Sequence, residues 1–377
     1  MAKRLLHVVA SIAPAAGGTT EGIRRLVQSS EGAAELVCLD DPSASYLQGQ
    51  SFPVHALGPA RGGYWYTPGL RPWLRENLGR FDGVVVHGLW QHHSYGSYQA
   101  IRGRIPYAIF PHGMLDPYFK RAFPLKHVKK QLYWLAREYS VLRDARAVCF
   151  TSVIECDSAM KTFWPRRWHP AVVSFGTLEP AGNPAQQRES FFERYPVLRE
   201  RRFFLFLSRI HRKKGCDLAL DAFAQLARLD LDLVIAGPDE EGLQAQLKAQ
   251  AGRLGISGRV HWTGILEGDL KWGALRAAEA LVLPSRQENF GVVVVEALAC
   301  RTPVLISDKV NIWPDLERDG AGIVNPDTAE GTLRSMTALL SMTPQERERL
   351  ASNGLACFRA RYEMQRTALA LDAIFSD

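Results

Sequence analysis

The chain has 377 residues, of which 46% are hydrophobic and 23% charged, and its formal net charge is +7. This composition is typical of a globular protein of one large or two smaller domains and excludes a disordered chain, and no run of 18 apolar residues is present to span a membrane. The six cysteines lie scattered without a C-x-x-C pair, which disfavours a zinc site or a disulfide framework and favours a reducing cytoplasm.

The first half of the chain predicts a doubly wound α/β domain. Short apolar segments separated by helix-length or loop sequence are typical of a parallel sheet covered by helices. The predicted strands are 5–10, 36–39, 83–86, 107–110, 147–150 and 171–175. The first apolar run is interrupted by His7 and is too short for a secretion signal, so we interpret it as a strand.

The second half repeats this pattern after a polar stretch. Strands are predicted at 203–207, 233–236, 260–262, 280–283 and 303–306, and helices at 216–229 and 242–252. We therefore expect an N-terminal Rossmann-like domain over 1–178, a linker over 179–200 and a second Rossmann-like domain over 201–359. A C-terminal helix over 360–377 is expected to pack back on the first domain.

Positive charge is concentrated in the first half, where residues 1–180 have a net charge of +8 and the remainder −1. The segment 118–137 contains no acidic residue. Apolar residues recur there at helical spacing, at 125, 128, 132, 135, 139 and 142, and are predicted to form a core face. The opposite face is basic and aromatic, with Lys126, Lys130, Tyr133 and Arg137 flanked by Trp134, and Lys129 is a further candidate contact residue. It suits an anionic membrane surface or an anionic acceptor, and a solvated face is an equal alternative. No nucleic-acid module is present.

Two carboxylates lie on either side of the turn that joins a predicted strand at 280–283 to a predicted helix from Val292: Glu288 precedes the helix and Glu296 lies within it. Ligands bind outside the carboxyl ends of parallel strands, and the amides at a helix start favour phosphate oxygens. Carboxylates beside a phosphate suit a ligand that also offers hydroxyl groups, such as a sugar nucleotide. A helix-start acid and a solvated glutamate are the simpler alternative.

Other predicted strand ends carry groups of matching chemistry. Arg209 and Lys214 follow one strand and together can neutralise a diphosphate, although a basic surface turn has the same sequence. His112 follows another strand and can hydrogen bond a sugar hydroxyl or a phosphate, or serve only in packing. Three weaker turn signals are the Gly17-Gly18 loop, Gly237 and the loop around Leu266.

Together, Gly17-Gly18, His112-Gly113-Met114, Arg209 with Lys214-Gly215, and Glu288 seven residues before Glu296 resemble the retaining glycosyltransferases of family 4. The resemblance spans nearly the whole chain, and its most specific part is the segment 284–299. It implies the GT-B fold, an α/β architecture of two Rossmann-like doubly wound domains that face each other across a cleft. One departure is Arg301, which stands where the family commonly has glycine.

The resemblance also implies roles for individual residues. Arg209 and Lys214 would hold the donor diphosphate, Glu288 the hydroxyls of the transferred sugar and Glu296 the ribose hydroxyls. His112 would lie by the donor sugar, and Gly18 near the diphosphate and acceptor. Phe290, Gly291 and Val292 would add backbone contacts to the donor. The other residues predicted to bind the donor are Gly17, Asn289, and Gly237 and Leu266, whose loops could admit a flat base against the backbone.

The implied reaction is transfer with retention of configuration, by attack on the same face of the sugar and without a metal or other cofactor. Glu288 as a covalent nucleophile is the alternative to Glu288 as a hydroxyl ligand. The Asp230-Leu-Asp232 sequence is interpreted as a chance match to a metal motif, because it precedes a strand. A nucleotide-sugar epimerase and a non-catalytic sugar-nucleotide-binding partner are the rival functions.

The acceptor and donor are less readable. We expect a hexose from a GDP- or UDP-linked donor, with a slight preference for GDP-mannose, and a glycan acceptor that is lipid-linked. The expected setting is bacterial exopolysaccharide, lipopolysaccharide or capsule synthesis, in the cytoplasm or peripherally on the inner face of the plasma membrane.

Overall fold

The computed structural model describes residues 3–14, 18–30, 34–226 and 228–376. It divides into two compact units. The first contains Met1–Thr177 together with Met364–Asp377, and the second contains Leu178–Glu363.

The first unit is a parallel sheet with helices in its connections. Its strands are β1 Leu5–Val9, β2 Ala34–Cys38, β3 Val54–Ala56, β4 Gly83–His87, β5 Tyr107–Phe110, β6 Ala147–Phe150 and β7 Pro170–Val172. Its helices up to the end of this sheet are α1 Gly18–Ser29, α2 Leu70–Asn77, α3 His92–Ile101, α4 Tyr118–Ala122, α5 Pro124–Tyr133, α6 Tyr139–Arg143 and α7 Val153–Ala159, with a π-helical turn Trp134–Glu138 between α5 and α6. The strand order is β3-β2-β1-β4-β5-β6-β7.

The second unit is built in the same way. Its strands are β8 Arg202–Leu207, β9 Leu231–Ala236, β10 Val260–Gly264, β11 Ala280–Leu283, β12 Val304–Ser307 and β13 Ile323–Asn325. Its helices are α8 Pro184–Arg194, α9 Cys216–Ala224, α10 Gln244–Arg253, α11 Gly268–Ala277, α12 Val292–Ala299, α13 Trp313–Arg318, α14 Ala329–Ser341 and α15 Pro344–Cys357, followed by a π-helical turn Phe358–Tyr362. The strands are parallel in the order β10-β9-β8-β11-β12-β13.

The last helix, α16 (Met364–Phe375), returns to the first unit. The Met364 amide donates to the Thr177 carbonyl at 3.0 Å. The hydroxyl of Thr367 donates to the Ser174 carbonyl at 2.8 Å. Phe375 lies against Gly83, where a methyl group would come within 2.4 Å of its ring. The end of the chain is therefore part of the N-terminal core.

In each sheet the strand order reverses once, between β1 and β4 and between β8 and β11. The loops after these strands diverge there and leave a crevice, which is the usual ligand site of an open α/β sheet. In the second unit, the loops after β8 and β11 carry Arg209, Lys214 and Glu288. In the first unit, His112 lies in the loop after β5, at the same edge of the sheet as the loops after β1 and β4.

The predicted core face of the segment around α5 is wrong at four of its six positions: the exposed fractions are 84% for Leu125, 58% for Val128, 64% for Leu132 and 51% for Leu135. Only its last two positions turn inward, where Tyr139 is half-buried and Leu142 is buried. On the other side of the helix Lys130 and Tyr133 are half-buried and Trp134 is fully buried. Trp134 packs against Phe163 and donates from Nε1 to the Pro165 carbonyl at 2.9 Å. Because it is enclosed, Trp134 does not form part of the predicted contact surface.

None of the helices among the described residues is both long and apolar enough to cross a membrane.

Candidate functional site

Glu288 lies in a loop whose backbone is held by hydrogen bonds to a neighbouring loop. Its amide donates to the Lys309 carbonyl and its carbonyl accepts from the Asn311 amide, both at 3.0 Å. Gly291 then adopts a φ of 79° and α12 begins at Val292, as predicted. The loop after β11 is thus held by the loop after β12.

Lys214 and Glu288 form an ion pair between the loops after β8 and β11, and both side chains are largely buried. The next residue, Gly215, has a φ of 70°, and a methyl group there would come within 2.2 Å of the Pro284 carbonyl oxygen. Only glycine allows this close approach of the two loops. The close packing of Gly215 against Pro284 therefore brings the Lys214 ammonium and the Glu288 carboxylate together.

Glu296, on the second turn of α12, is nearly buried and pairs with Lys271 of α11 at 2.7 Å. The Lys271 ammonium also lies 4.1 Å from the centroid of the Trp272 ring. Sequence reasoning missed Lys271. The available signal is its place about one turn after the loop around Leu266, which is predicted to lie at the ligand edge.

Arg209 is half exposed and pairs with Glu240 at 2.7 Å. Gly237 has a φ of 137°, and a methyl group there would come within 1.9 Å of the Ser208 carbonyl oxygen, so this glycine is needed to pack the loops after β8 and β9 together. Leu266 has a buried side chain. Any contact of Gly237 or Leu266 with a ligand would have to come from the backbone.

The remaining residues that are predicted to bind the sugar-nucleotide donor lie at the start of α12. Phe290 is buried and packs edge-on against Tyr362, with ring centroids 5.7 Å apart. Asn289 and Val292 are half-buried.

A cavity of about 310 Å³ lies beside the Arg209–Lys214 loop and is lined by Ile210, His211, Arg212 and Arg286 among others.

The D-x-D sequence takes part in ion pairs of the sheet. Asp232 lies on β9, is almost fully buried, and contacts Arg201 at 2.5 Å and His261 at 2.8 Å. Asp230 pairs with Arg228 at 3.0 Å. These contacts account for both carboxylates.

In the first unit, Gly18 is the first residue of α1, whereas Gly17 lies outside the described residues. His112 follows β5 and has a φ of 49°, which is uncommon for a residue other than glycine and is a frequent feature of ligand sites. The turn is fixed by Glu155, a buried carboxylate that accepts from the Gly113 amide at 2.6 Å. Glu155 also accepts from the amide and the hydroxyl of Thr151, each at 2.7 Å.

Behind His112 lies a row of buried histidine side chains. His112 Nε2 is 3.0 Å from His87 Nδ1, and His87 Nε2 is 2.9 Å from His7 Nδ1. Burial lowers the pKa of His112 and of His7 to about 3, and burial with neighbouring histidines lowers the pKa of His87 well below its usual range. All three rings are therefore neutral at physiological pH. His7 and His87 were not predicted as site residues, although a histidine inside an apolar strand was a visible signal.

The basic residues of the segment around α5 divide into two groups. Lys126 and Lys129 are exposed beside the leucines. Lys130 is half-buried with its ammonium 4.4 Å from the centroid of the Trp90 ring, and the hydroxyl of Tyr133 donates to that of Tyr64 at 3.0 Å. The outward surface is thus leucines with flanking lysines.

Arg301, the departure from the family pattern, ends α12 with a φ of 60°. Its side chain is exposed and forms an ion pair with Glu348. The chain keeps the left-handed turn that glycine would favour and adds a surface contact.

Comparisons with known proteins cover both units. The family model for Glycosyl transferases group 1 matches residues 187–356, and that for a Glycosyl transferase 4-like domain matches residues 17–176. An alpha-D-kanosaminyltransferase of Streptomyces kanamyceticus is 29% identical over 51% of this chain, which spans about half (49%) of that protein's length. A D-inositol 3-phosphate glycosyltransferase of Streptomyces bingchenggensis is 28% identical over 81% of this chain and 68% of its own.

Among solved structures, Anabaena Alr3699/HepE in complex with UDP-glucose superimposes with a TM-score of 0.76 at 18% identity, covering 98% of this chain and 100% of that one. Two parallel-sheet units, both family matches and this likeness agree on one architecture. The chain therefore belongs to the glycosyltransferases of the GT-B fold and the family 4 type.

Proposed function

We propose that this protein is a retaining hexosyltransferase that moves a sugar from a GDP- or UDP-linked donor to a glycan acceptor. The acceptor is lipid-linked, and the setting is bacterial surface polysaccharide synthesis on the cytoplasmic side of the plasma membrane. The observation that carries the proposal is the pair of lysine–glutamate contacts around the start of α12, Lys214 with Glu288 and Lys271 with Glu296. The UDP-glucose bound by the Anabaena neighbour supports the UDP alternative.

The two contacts suit a ligand that has both phosphates and hydroxyls. When a diphosphate binds, Lys214 and Arg209 take phosphate oxygens in place of Glu288 and Glu240. Glu288 then accepts hydrogen bonds from hydroxyls of the transferred sugar, and Glu296 accepts from the ribose hydroxyls. The amides at the start of α12 add about 0.3–1 kcal/mol of favourable interaction with the phosphate charge.

In the proposed reaction the bond from the anomeric carbon to the diphosphate oxygen breaks. The acceptor oxygen bonds to the same face of that carbon, and its proton passes to the departing phosphate oxygen. Arg209 and Lys214 stabilise the charge that builds on the leaving group, a preorganised electrostatic role. His112 donates a hydrogen bond to a sugar oxygen, and activity should not require an added divalent metal.

The first test is a thermal-shift panel of the purified protein with GDP-, UDP-, ADP- and dTDP-sugars. A ligand at about 100 times its dissociation constant raises stability by about 2.7 kcal/mol, so the correct base should stand out. Product analysis by NMR then distinguishes transfer with retention from epimerisation. Glu288→Gln should abolish transfer, and normal turnover by that variant would contradict the assignment of the site.

The membrane side of the proposal rests on the leucine stripe, which we define as Leu125, Val128, Leu132 and Leu135. These side chains are exposed at spacings of three, four and three residues, so they form one helical face. Lys129 borders the stripe, Lys126 is exposed further round the helix, and the segment 118–137 has no acidic residue. An apolar face rimmed by lysines is complementary to an anionic bilayer surface.

Vesicle flotation tests this surface. The full chain should float with phosphatidylglycerol-containing vesicles and much less with pure phosphatidylcholine. Replacing Lys126 and Lys129 by Gln should weaken binding about 30-fold, from about 1 kcal/mol for each lysine. Leu125→Ser with Leu132→Ser should abolish it, whereas Val197→Ser with Leu229→Ser, at equally exposed positions of the second unit, should leave it unchanged. Equal binding by all variants would reject the surface.

A further inference from the structure

The row formed by His112, His87 and His7 allows only two arrangements of protons. Each neutral imidazole carries one N–H, and each of the two N···N contacts needs one donor and one acceptor. The protons must therefore all point the same way along the row. Either His112 donates from Nε2 toward His87, or His87 donates from Nδ1 toward His112.

The inner end of the row decides between them. His7 Nε2 is buried and has no hydrogen-bond partner among the described residues. In the first arrangement this atom carries a proton, which makes it a buried N–H without an acceptor. In the second it carries a lone pair. Buried N–H groups without an acceptor are rarer in proteins than acceptors without a donor.

The neighbouring ring of His93 shows that a buried imidazole nitrogen without a hydrogen-bond donor among the described residues already occurs in this core. His93 Nε2 lies 2.8 Å from the carbonyl oxygen of His87, which can only accept, so Nε2 carries the proton. His93 Nδ1 is then a buried lone pair and has no partner among the described residues. A bare imidazole nitrogen is thus already present in the same core.

We propose that His87 is a positioning residue that holds His112 in its Nδ1-protonated tautomer. His87 donates from Nδ1 to His112 Nε2, so the remaining N–H of His112 lies on Nδ1. That nitrogen makes no hydrogen bond to the described residues, and His112 is partly exposed. The row therefore presents His112 to a ligand as a hydrogen-bond donor, which suits a sugar or phosphate oxygen. The direction of the row stands on its own, whereas its use in catalysis rests on the proposed function.

The direct test is the tautomer itself. In ¹⁵N-histidine-labelled protein, long-range ¹H–¹⁵N spectra distinguish a protonated Nδ1 from a protonated Nε2. We expect Nδ1 protonation at His112, His87 and His7, and Nε2 protonation at His93. A protonated Nε2 at His112 overturns the inference. This readout needs no substrate, so it separates failure of the inference from failure of the proposed transfer reaction.

The functional test compares two matched substitutions in the row. His87→Phe removes the donor to His112, so kcat should fall by about three- to tenfold, the worth of one hydrogen bond, while KM for the donor stays within about twofold. His7→Phe should leave kcat within about twofold, because His87 keeps its Nδ1 proton and its Nε2 becomes the bare end of the row. UDP-glucose and GDP-mannose serve as donors, with release of nucleoside diphosphate as the assay. An equal loss in both variants would mean that the rings act only in packing and would overturn the role of His87.

Discussion

Glu138 offers the clearest quantitative prediction, because it is a fully buried carboxylate with few partners. One oxygen accepts from the Ser94 hydroxyl at 2.5 Å and from the Trp90 amide at 3.3 Å, and the other has no hydrogen-bond partner among the described residues. Burial raises the pKa of Glu138 from its ordinary value of 4.5 to about 7. The folded protein therefore binds this proton more tightly than the unfolded chain does.

The sign follows from that difference in proton binding. The contribution of Glu138 to stability is fully present below about pH 4.5 and is lost as the pH rises to about 7, beyond which it stays constant. The loss amounts to about 3 kcal/mol across this window. Glu138→Gln removes this titration. Whatever the amide itself costs in packing is the same at both pH values and cancels when they are compared.

The measurement is urea unfolding of both proteins at pH 4.5 and pH 8, followed by the tryptophan fluorescence of the first unit. The wild-type protein should lose about 3 kcal/mol more than Glu138→Gln between these pH values. Glu76→Gln, an exposed site in the same unit, is the control and should behave as the wild type. A difference below about 1 kcal/mol between Glu138→Gln and the wild type would refute the reasoning.

Three further predictions concern contacts around the site and the turn that ends α12. Lys271→Met takes the ammonium from the nearly buried Glu296 and should destabilise the second unit by about 2–3 kcal/mol in thermal melts, and adding Glu296→Gln should recover most of this loss. Glu155→Gln should cost about 2–3 kcal/mol in urea unfolding and lower kcat, because the charged acceptor of the Gly113 amide is lost. Arg301→Gly should be more stable than Arg301→Ala by about 1 kcal/mol, because only glycine adopts a φ of 60° without strain; equal stability would contradict this.

The interior strands could be predicted from sequence, whereas the edge strands could not. Residues 107–110, 147–150 and 280–283 are strands with the predicted ends, because strands buried on both faces are continuous apolar runs. Both β3 and β13 have only three residues and are half-buried, so their apolar signal is weak. The predicted strand at 171–175 is shorter in the structure, ending at Val172, although Val173 and Phe175 are buried.

Periodicity also failed to orient the helix that carries the leucine stripe. A 3.6-residue pattern shows that two faces differ, but it does not say which one meets the protein. Here the packing of Trp134 determines which face of the helix is buried. Its large ring and its Nε1–H find partners in Phe163 and the Pro165 carbonyl, so the aromatic side was buried and the leucines were left outside.

The loops of the candidate site could be predicted because they follow strands, but their partners could not. Lys214 contacts Glu288 across 74 residues, and Glu155 contacts Gly113 across 42. His87 reaches His112 across 25 residues. Contacts at such separations depend on strand order, which the sequence pattern alone does not specify.

The charge balance of the second unit has a consequence for turnover under the proposed function. Lys214 is matched by Glu288 and Arg209 by Glu240, so a diphosphate has to exchange these partners instead of entering a purely positive site. An intact sugar nucleotide compensates for the exchange, because its sugar hydroxyls give Glu288 new donors when Lys214 moves to phosphate. A nucleoside diphosphate without the sugar also draws Lys214 to phosphate, but it offers no sugar hydroxyl to hydrogen bond with Glu288. The re-formed Lys214–Glu288 pair therefore favours release of the product, and Glu288→Gln should narrow the difference in affinity between donor and product in calorimetric titrations.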